Sequence, residues 1–260
     1  MPKAPPPPQA SASTASSSAT PLRRPHKAAS ITLRSSDSML MVDFPPEIYR
    51  LLHKLITAEW RKGIQNYWDL GDSCVEYQLR GIPWQAIQWD AVAGARLLMR
   101  ILSALSAAGW SLALSTRMSR QLENTDTLFF KKTPPVERSF FAIAFPRGDR
   151  IRIIDAPKAA HDEFVATFSL IQQDWWNGVQ RSEAIAPQVH EFKLKGYPFE
   201  NRRKDMVPIR GMMHFLIEDL DRLGYELFAS IGMDRGFDGN NHDEEMRSVD
   251  TWFLTRRDAA

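Results

Sequence analysis

The chain has 260 residues, 43% hydrophobic and 25% charged, and its 33 Lys and Arg nearly balance 31 Asp and Glu at a net charge of +2. That is the composition of a globular protein with an ample core, and it gives no general electrostatic case for a nucleic-acid binder. The single cysteine, Cys74, excludes internal disulfides and a cysteine-based zinc site, and no apolar run approaches the roughly 18 residues of a membrane helix.

In chain order, residues 1–36 come first and differ from the rest. Four prolines (Pro5–Pro8), a Ser/Ala/Thr run and Pro21-Leu-Arg-Arg-Pro25 bury too little apolar surface to offset ordering entropy, so a disordered tail is predicted. Lys3, Arg23, Arg24, Lys27 and Arg34 lie here without an acidic residue, which leaves the remainder slightly acidic. An acid-free, Ser-rich N-terminus also occurs in mitochondrial presequences, but consecutive prolines oppose the amphipathic helix those need. With one cysteine, the expectation is an intracellular protein of the cytoplasm or nucleus. Ser30, after three basic residues, reads as a solvated serine, with phosphorylation as the alternative.

The remainder reads as one unit written twice, over 37–133 and 134–260. Glu76-Tyr-Gln-Leu-Arg-Gly-Ile-Pro-Trp84 returns as Glu191-Phe-Lys-Leu-Lys-Gly-Tyr-Pro-Phe199, and Gly109-Trp-Ser-Leu returns as Gly224-Tyr-Glu-Leu, both 115 residues on. Each copy opens on an apolar strand ending in Asp-x-Pro, at Asp43 and Asp155. A helix follows with Ile48, Leu51, Leu52, Leu55 and Ile56, or Phe164, Val165, Phe168 and Ile171, on one face. Cys74–Arg80 and Val189–Lys195 alternate with a period of two and end at Gly-x-Pro, as strands with one wet face do. The second helix carries Leu97, Leu98, Ile101, Leu102 and Leu105, matched by Met212, Met213, Leu216, Ile217 and Leu220, and ends at Gly109 or Gly224. Two strands close each copy, and Phe140–Phe145 reads as a strand joining them.

The predicted fold class is therefore α+β, a tandem repeat of strand-helix-strand-helix-strand-strand with helices on mainly antiparallel sheet. The copies form either one pseudo-twofold domain or two domains. Aromatic exchanges (Tyr77/Phe192, Trp84/Phe199, Trp110/Tyr225) suggest packing rather than hydrogen bonding at these positions. Together, Tyr/Phe-x-Leu-x-Gly-x-Pro-Trp/Phe, the apolar helix ending in Gly-Trp/Tyr, and Asp-Thr-Leu/Trp-Phe resemble duplicated domains of unknown activity found largely in fungal proteins. The resemblance covers about residues 39–257 and implies no site residues.

Motifs for a nucleophile elbow, a phosphate loop, a dinucleotide fold or a zinc protease are missing. Cys74 reads as a structural thiol, and His53, His161, His190 and His214 do not cluster in sequence. The segment Asp234–Glu245 offers Asp238, His242, Asp243, Glu244 and Glu245 as oxygen and nitrogen donors for a divalent cation, without calcium-loop spacing. It also contains the nine residues by which copy two exceeds copy one, and an acidic hairpin loop is the plainer account. Arg202, Arg203, Lys204 and Arg210 raise a winged-helix comparison that copy one does not share, which argues against nucleic acid. No catalytic residue and no cofactor is assigned.

Two functions follow. One is a non-enzymatic interaction or scaffold module for a protein partner. The alternative is an enzyme or small-ligand binder with its site in the cleft between copies, where Asp43, Asp155, Asp126 and Asp250 supply paired carboxylates.

Overall fold

A computed structural model describes residues 27–84, 89–118, 124–174, 178–196, 198–199, 206–233 and 249–257. The first unit consists of β1 (Ala28–Arg34), β2 (Ser38–Val42), α1 (Pro46–Glu59), β3 (Ile64–Gly71), β4 (Cys74–Leu79), α2 (Trp89–Ala107), β5 (Trp110–Thr116) and β6 (Asn124–Lys132). The second repeats that order as β7 (Phe140–Arg147), β8 (Arg150–Ile154), α3 (Lys158–Asp174), β9 (Val179–Ala186), β10 (Val189–Leu194), α4 (Met206–Arg222), β11 (Tyr225–Ile231) and β12 (Val249–Arg256). The unit is thus two strands longer than the sequence pattern suggested. Residues 28–34, expected in the tail, form β1, and Phe140–Phe145 is no joining strand but β7, the counterpart of β1. Strands β3 and β9 were not anticipated at all.

Each unit builds one six-stranded antiparallel sheet, in the orders β3-β4-β2-β1-β6-β5 and β9-β10-β8-β7-β12-β11. The two orders are the same permutation. Alternation explains the first sheet's helix-side face: Ile31, Leu33, Met39, Met41, Val75, Tyr77, Leu79, Leu128 and Phe130 are buried against Ile48, Leu52 and Ile56 of α1 and the stripe of α2. In the second sheet Phe141, Ile143, Phe145, Ile151, Ile153, Phe192 and Leu194 do the same with α3 and α4. Asp43 and Asp155 turn the chain from strand to helix at φ 63° and 55°, a region Asp tolerates, and donate their N–H groups to Ser73 O and Gln188 O at 2.8 Å.

The halves differ in one respect. The far face of the second sheet is also buried, because α2 of the first unit lies on it. Ala142, Ala144, Ile154, Val189, Ala229, Ile231 and Phe253 belong to the first unit's core. Helix α2 is accordingly buried on two sides. Its stripe serves its own sheet, while Ala91, Val92 and Ala95 enclose a cavity of about 10 Å3 with Ala144, Arg152, Ile154 and Met233. Strand β5 approaches β11, and the connection from β6 to β7 runs along α2, where Ser103 and Ser106 donate to Arg138 O (2.6 Å) and Val136 O (2.7 Å).

The helical stripe appears as expected in α2, where all five residues are buried, and less completely in α4, where Met212, Leu216 and Leu220 are buried and Met213 is half-buried. Ile217 is 52% exposed, as is the nearby Phe215 at 58%. The aromatic exchanges are only partly a matter of packing. Trp84 Nε1 donates to Ser38 O at 2.9 Å, a bond that Phe199 cannot make, whereas the buried Nε1 of Trp110 has no partner among the described residues.

Candidate functional site

The sequence named three places, and the structure treats them differently. Asp238, His242, Asp243 and Glu245, together with Glu244, lie outside the described residues, as do Arg202, Arg203 and Lys204. Arg210 is an exposed residue of α4. Among the described residues no three His, Cys, Asp or Glu side chains gather as metal ligands. Cys74 is half-buried on the first sheet's far face, and burial, then Glu76, Asp43 and Asp69, push its thiol pKa up and away from the reactive thiolate.

The four suspected aspartates split into two pairs. Asp155 receives Nε and Nη2 of Arg96 from the first unit, at 3.0 and 2.7 Å, and Arg96 also donates to Pro187 O. It is a tie between copies rather than an open carboxylate. Asp126 and Asp250, equivalent in the repeat, do meet at the junction. Asp126 Oδ2 accepts the Gly232 N–H at 2.7 Å, and Asp250 Oδ2 accepts the Ser230 hydroxyl at 2.9 Å. Asp126 is 8% exposed, and burial, reinforced by Asp250, holds its carboxyl pKa up against the Gly232 N–H and Arg117. Ser115 and Ser230 line an open groove of about 240 Å3 between β5 and β11, with Leu112, Leu114 and Phe228.

Among the described residues no histidine belongs to that junction. His53 bonds the Tyr77 hydroxyl at 3.3 Å, and His190 packs edge-on against His161. His190 Nε2 lies 2.8 Å from Ser182 Oγ, the distance of a nucleophile and its base. Ser182, however, is exposed on an outer strand, and neither residue lines a described pocket. Burial, then His161, lowers the His190 pKa, which keeps the ring neutral.

The remaining candidate is a sheet edge. Two six-stranded sheets have four edges, and an edge presents unpaired N–H and C=O groups that invite another strand. Strands β5 and β11 lie against each other. The edge β9 carries an Arg181–Glu183 ion pair at 3.1 Å along its length, and its end residues Ile185 and Ala186 pack on the first unit's core. Among the described residues strand β3 has no such ion pair, and only its first residue, Ile64, packs on the core. Among the described residues nothing pairs with its outer side, and it displays Tyr67, Trp68 and Leu70 at 44, 43 and 55% exposure. Tyr67 leans to the helix side on Tyr77 and His53, with ring centroids 5.0 and 5.5 Å away, and Trp68 stands on the far face opposite Glu76. Sequence reading missed β3 because neither of its faces is buried, so its side chains carry no period of two. The available signal was the run Tyr67-Trp68 between two turn glycines.

A single family model matches the chain twice, over residues 27–131 and 139–255. The match takes in β1 and begins its second copy just before β7. Searches of curated proteins and of solved structures give no significant match.

Proposed function

We propose that this chain, which belongs to the family whose domain it carries twice, is a non-enzymatic interaction module that takes an extended segment of a protein partner along β3. The observation that carries this reading is the contrast among the sheet edges: β3 alone combines an open backbone with exposed aromatic side chains. Strand addition draws affinity from main-chain hydrogen bonds and specificity from side chains on alternating faces, and Tyr67 and Trp68 stand on opposite faces. Large, stiff aromatic residues also contribute most to association per residue ordered.

The test is affinity purification with the wild type, with Trp68→Lys, and with a chain lacking residues 1–26. The truncation stops there because β1, a central strand, begins at Ala28. A partner held by the wild type and lost with Trp68→Lys supports the edge. A partner lost only with the truncation moves the function to the N-terminal segment.

A second reading has its own observation, the meeting of Asp126 and Asp250 beside the β5–β11 groove. A ligand or catalytic site there requires a small molecule that raises the melting temperature of the wild type and leaves Asp126→Asn unmoved. A screen that finds none removes this reading.

A further inference from the structure

We infer that the segment β3 accepts is β3 of a second copy of this chain, paired antiparallel about a two-fold axis. The inference rests on the reading of β3 as the docking edge and identifies its partner. The argument is the distribution of charge. The strand enters from Arg61 and Lys62, with exposed Arg80 beside them, where Arg80 N–H donates to Gly63 O. It leaves through Asp69 and Asp72. One end is basic, the other acidic, and the middle is Asn66, Tyr67 and Trp68.

An antiparallel copy brings the basic end of each strand to the acidic end of the other, twice over. A parallel copy does not. With the axis through Tyr67 and perpendicular to the sheet, Gln65 stands opposite Asp69 of the other copy, and Lys62, just before the strand, comes to the end where Asp72 lies in the turn just after it. Both sheets then keep their helices on the same side, as a continuous sheet requires. The contact is isologous and closed, so it ends at two chains and does not propagate. Lys62 is already paired with Asp90 at 2.7 Å, so the net positive charge of this end comes from the exposed Arg61 and Arg80. Rim charges of this kind steer encounter and register, and salt screens them.

The experiment uses the full chain and two charge-reversed forms, Arg61→Glu with Lys62→Glu, and Asp69→Lys with Asp72→Lys, in sedimentation velocity over a concentration series. The wild type is expected to reach the mass of two chains and to dissociate on dilution, more readily in high salt. Each reversed form alone has like charges at both ends, and its dimer is expected to weaken about tenfold or more, equivalent to at least about 1.4 kcal/mol. An equimolar mixture of the two restores the dimer, because acidic ends then meet basic ends. A wild type of one-chain mass at every concentration overturns the inference, as does a dimer indifferent to both reversals. Trp68→Lys separates the two levels. If the wild type is monomeric yet loses another protein partner on this substitution, only self-pairing fails. If the substitution changes neither, the docking reading fails with it.

Discussion

The far faces of the two sheets are equivalent in the repeat and opposite in fate. On the second sheet this face presents Ala142, Ala144 and Ile154 and lies under α2. On the first, the same positions are Ser30, Thr32 and Val42, all half-open to water. The helices match this difference. Val92, Ala95 and Met99 of α2 are buried, whereas their equivalents Val207, Arg210 and His214 on α4 are exposed. Both outer faces of the duplicated unit are thus open, the first sheet's through Ser30 and Thr32 and that of α4 through Arg210 and His214 beside the apolar Val207. The comparison teaches that two copies of one fold need not divide the work equally. The second sheet is covered on both faces, and the first keeps one face and the edge β3 open.

The sharpest way to break the comparison uses a pair of equivalent glutamates. Glu191, 2% exposed, is held by Arg152 at 2.6 Å and Arg150 at 2.8 Å, while Glu76 meets Arg34 at 2.9 Å on the open face. Glu191→Ala strands the buried Arg152 guanidinium and is expected to cost about 3–5 kcal/mol in urea unfolding. Glu76→Ala removes a solvated pair and is expected to cost less than about 1 kcal/mol.

A pair of helix glycines comes next, with opposite signs. A Cβ on Gly94 would meet Pro83 O at 2.1 Å, so Gly94→Ala forces α2 off the turn after β4, at about 2–3 kcal/mol. Gly211 of α4 has nothing within 4 Å of such an atom, and Gly211→Ala is expected to stabilise by about 0.5–1 kcal/mol through helix propensity. Equal effects at the two sites would contradict the close approach of α2 to Pro83.

The smallest effect concerns the junction. Burial, and secondarily Asp250, raise the Asp126 pKa in the folded protein. Folding therefore carries a penalty at neutral pH that disappears as pH falls, since the folded state takes up the proton before the unfolded one does. Asp126→Asn keeps an acceptor for the Gly232 N–H and removes the charge. It is expected to be more stable than the wild type at neutral pH, with the gap closing below the ordinary aspartate value of 3.8. A constant gap across a pH series would show that the carboxylate is not strained there.

Much of this fold was legible, and the failures share a cause. The stripe of α2 and α4 was clear because five matched apolar residues in each copy leave no other period. Strand β1 alternates well, with Ala29, Ile31 and Leu33 buried and Ser30 and Thr32 half-open, but its Ser/Ala composition blends into the preceding segment. Strands β3 and β9 lie at edges where water meets both faces, so Ile64–Gly71 and Val179–Ala186 have no alternation to read. The second buried face of α2 left a trace that a single copy hides. Ala95 against Arg210 and Met99 against His214 change character at equivalent positions, and only a contact made by one copy and not the other explains that. The junction pair Asp126 and Asp250 was named from the repeat, whereas the Arg96–Asp155 tie depends on how the units sit together, which no spacing encodes.

Helix α2 as the shared element of both units can be tested by urea unfolding of the wild type beside Ala95→Arg, the variant that gives α2 the residue of its α4 equivalent. Tryptophan fluorescence and far-UV circular dichroism should follow one coincident transition in the wild type, because sheet two cannot keep its far face buried once α2 melts. In Ala95→Arg a guanidinium enters a site 1% exposed, and the units should separate into two transitions. Two transitions in the wild type, or a variant that unfolds like it, would contradict the enclosure of the second unit by the first.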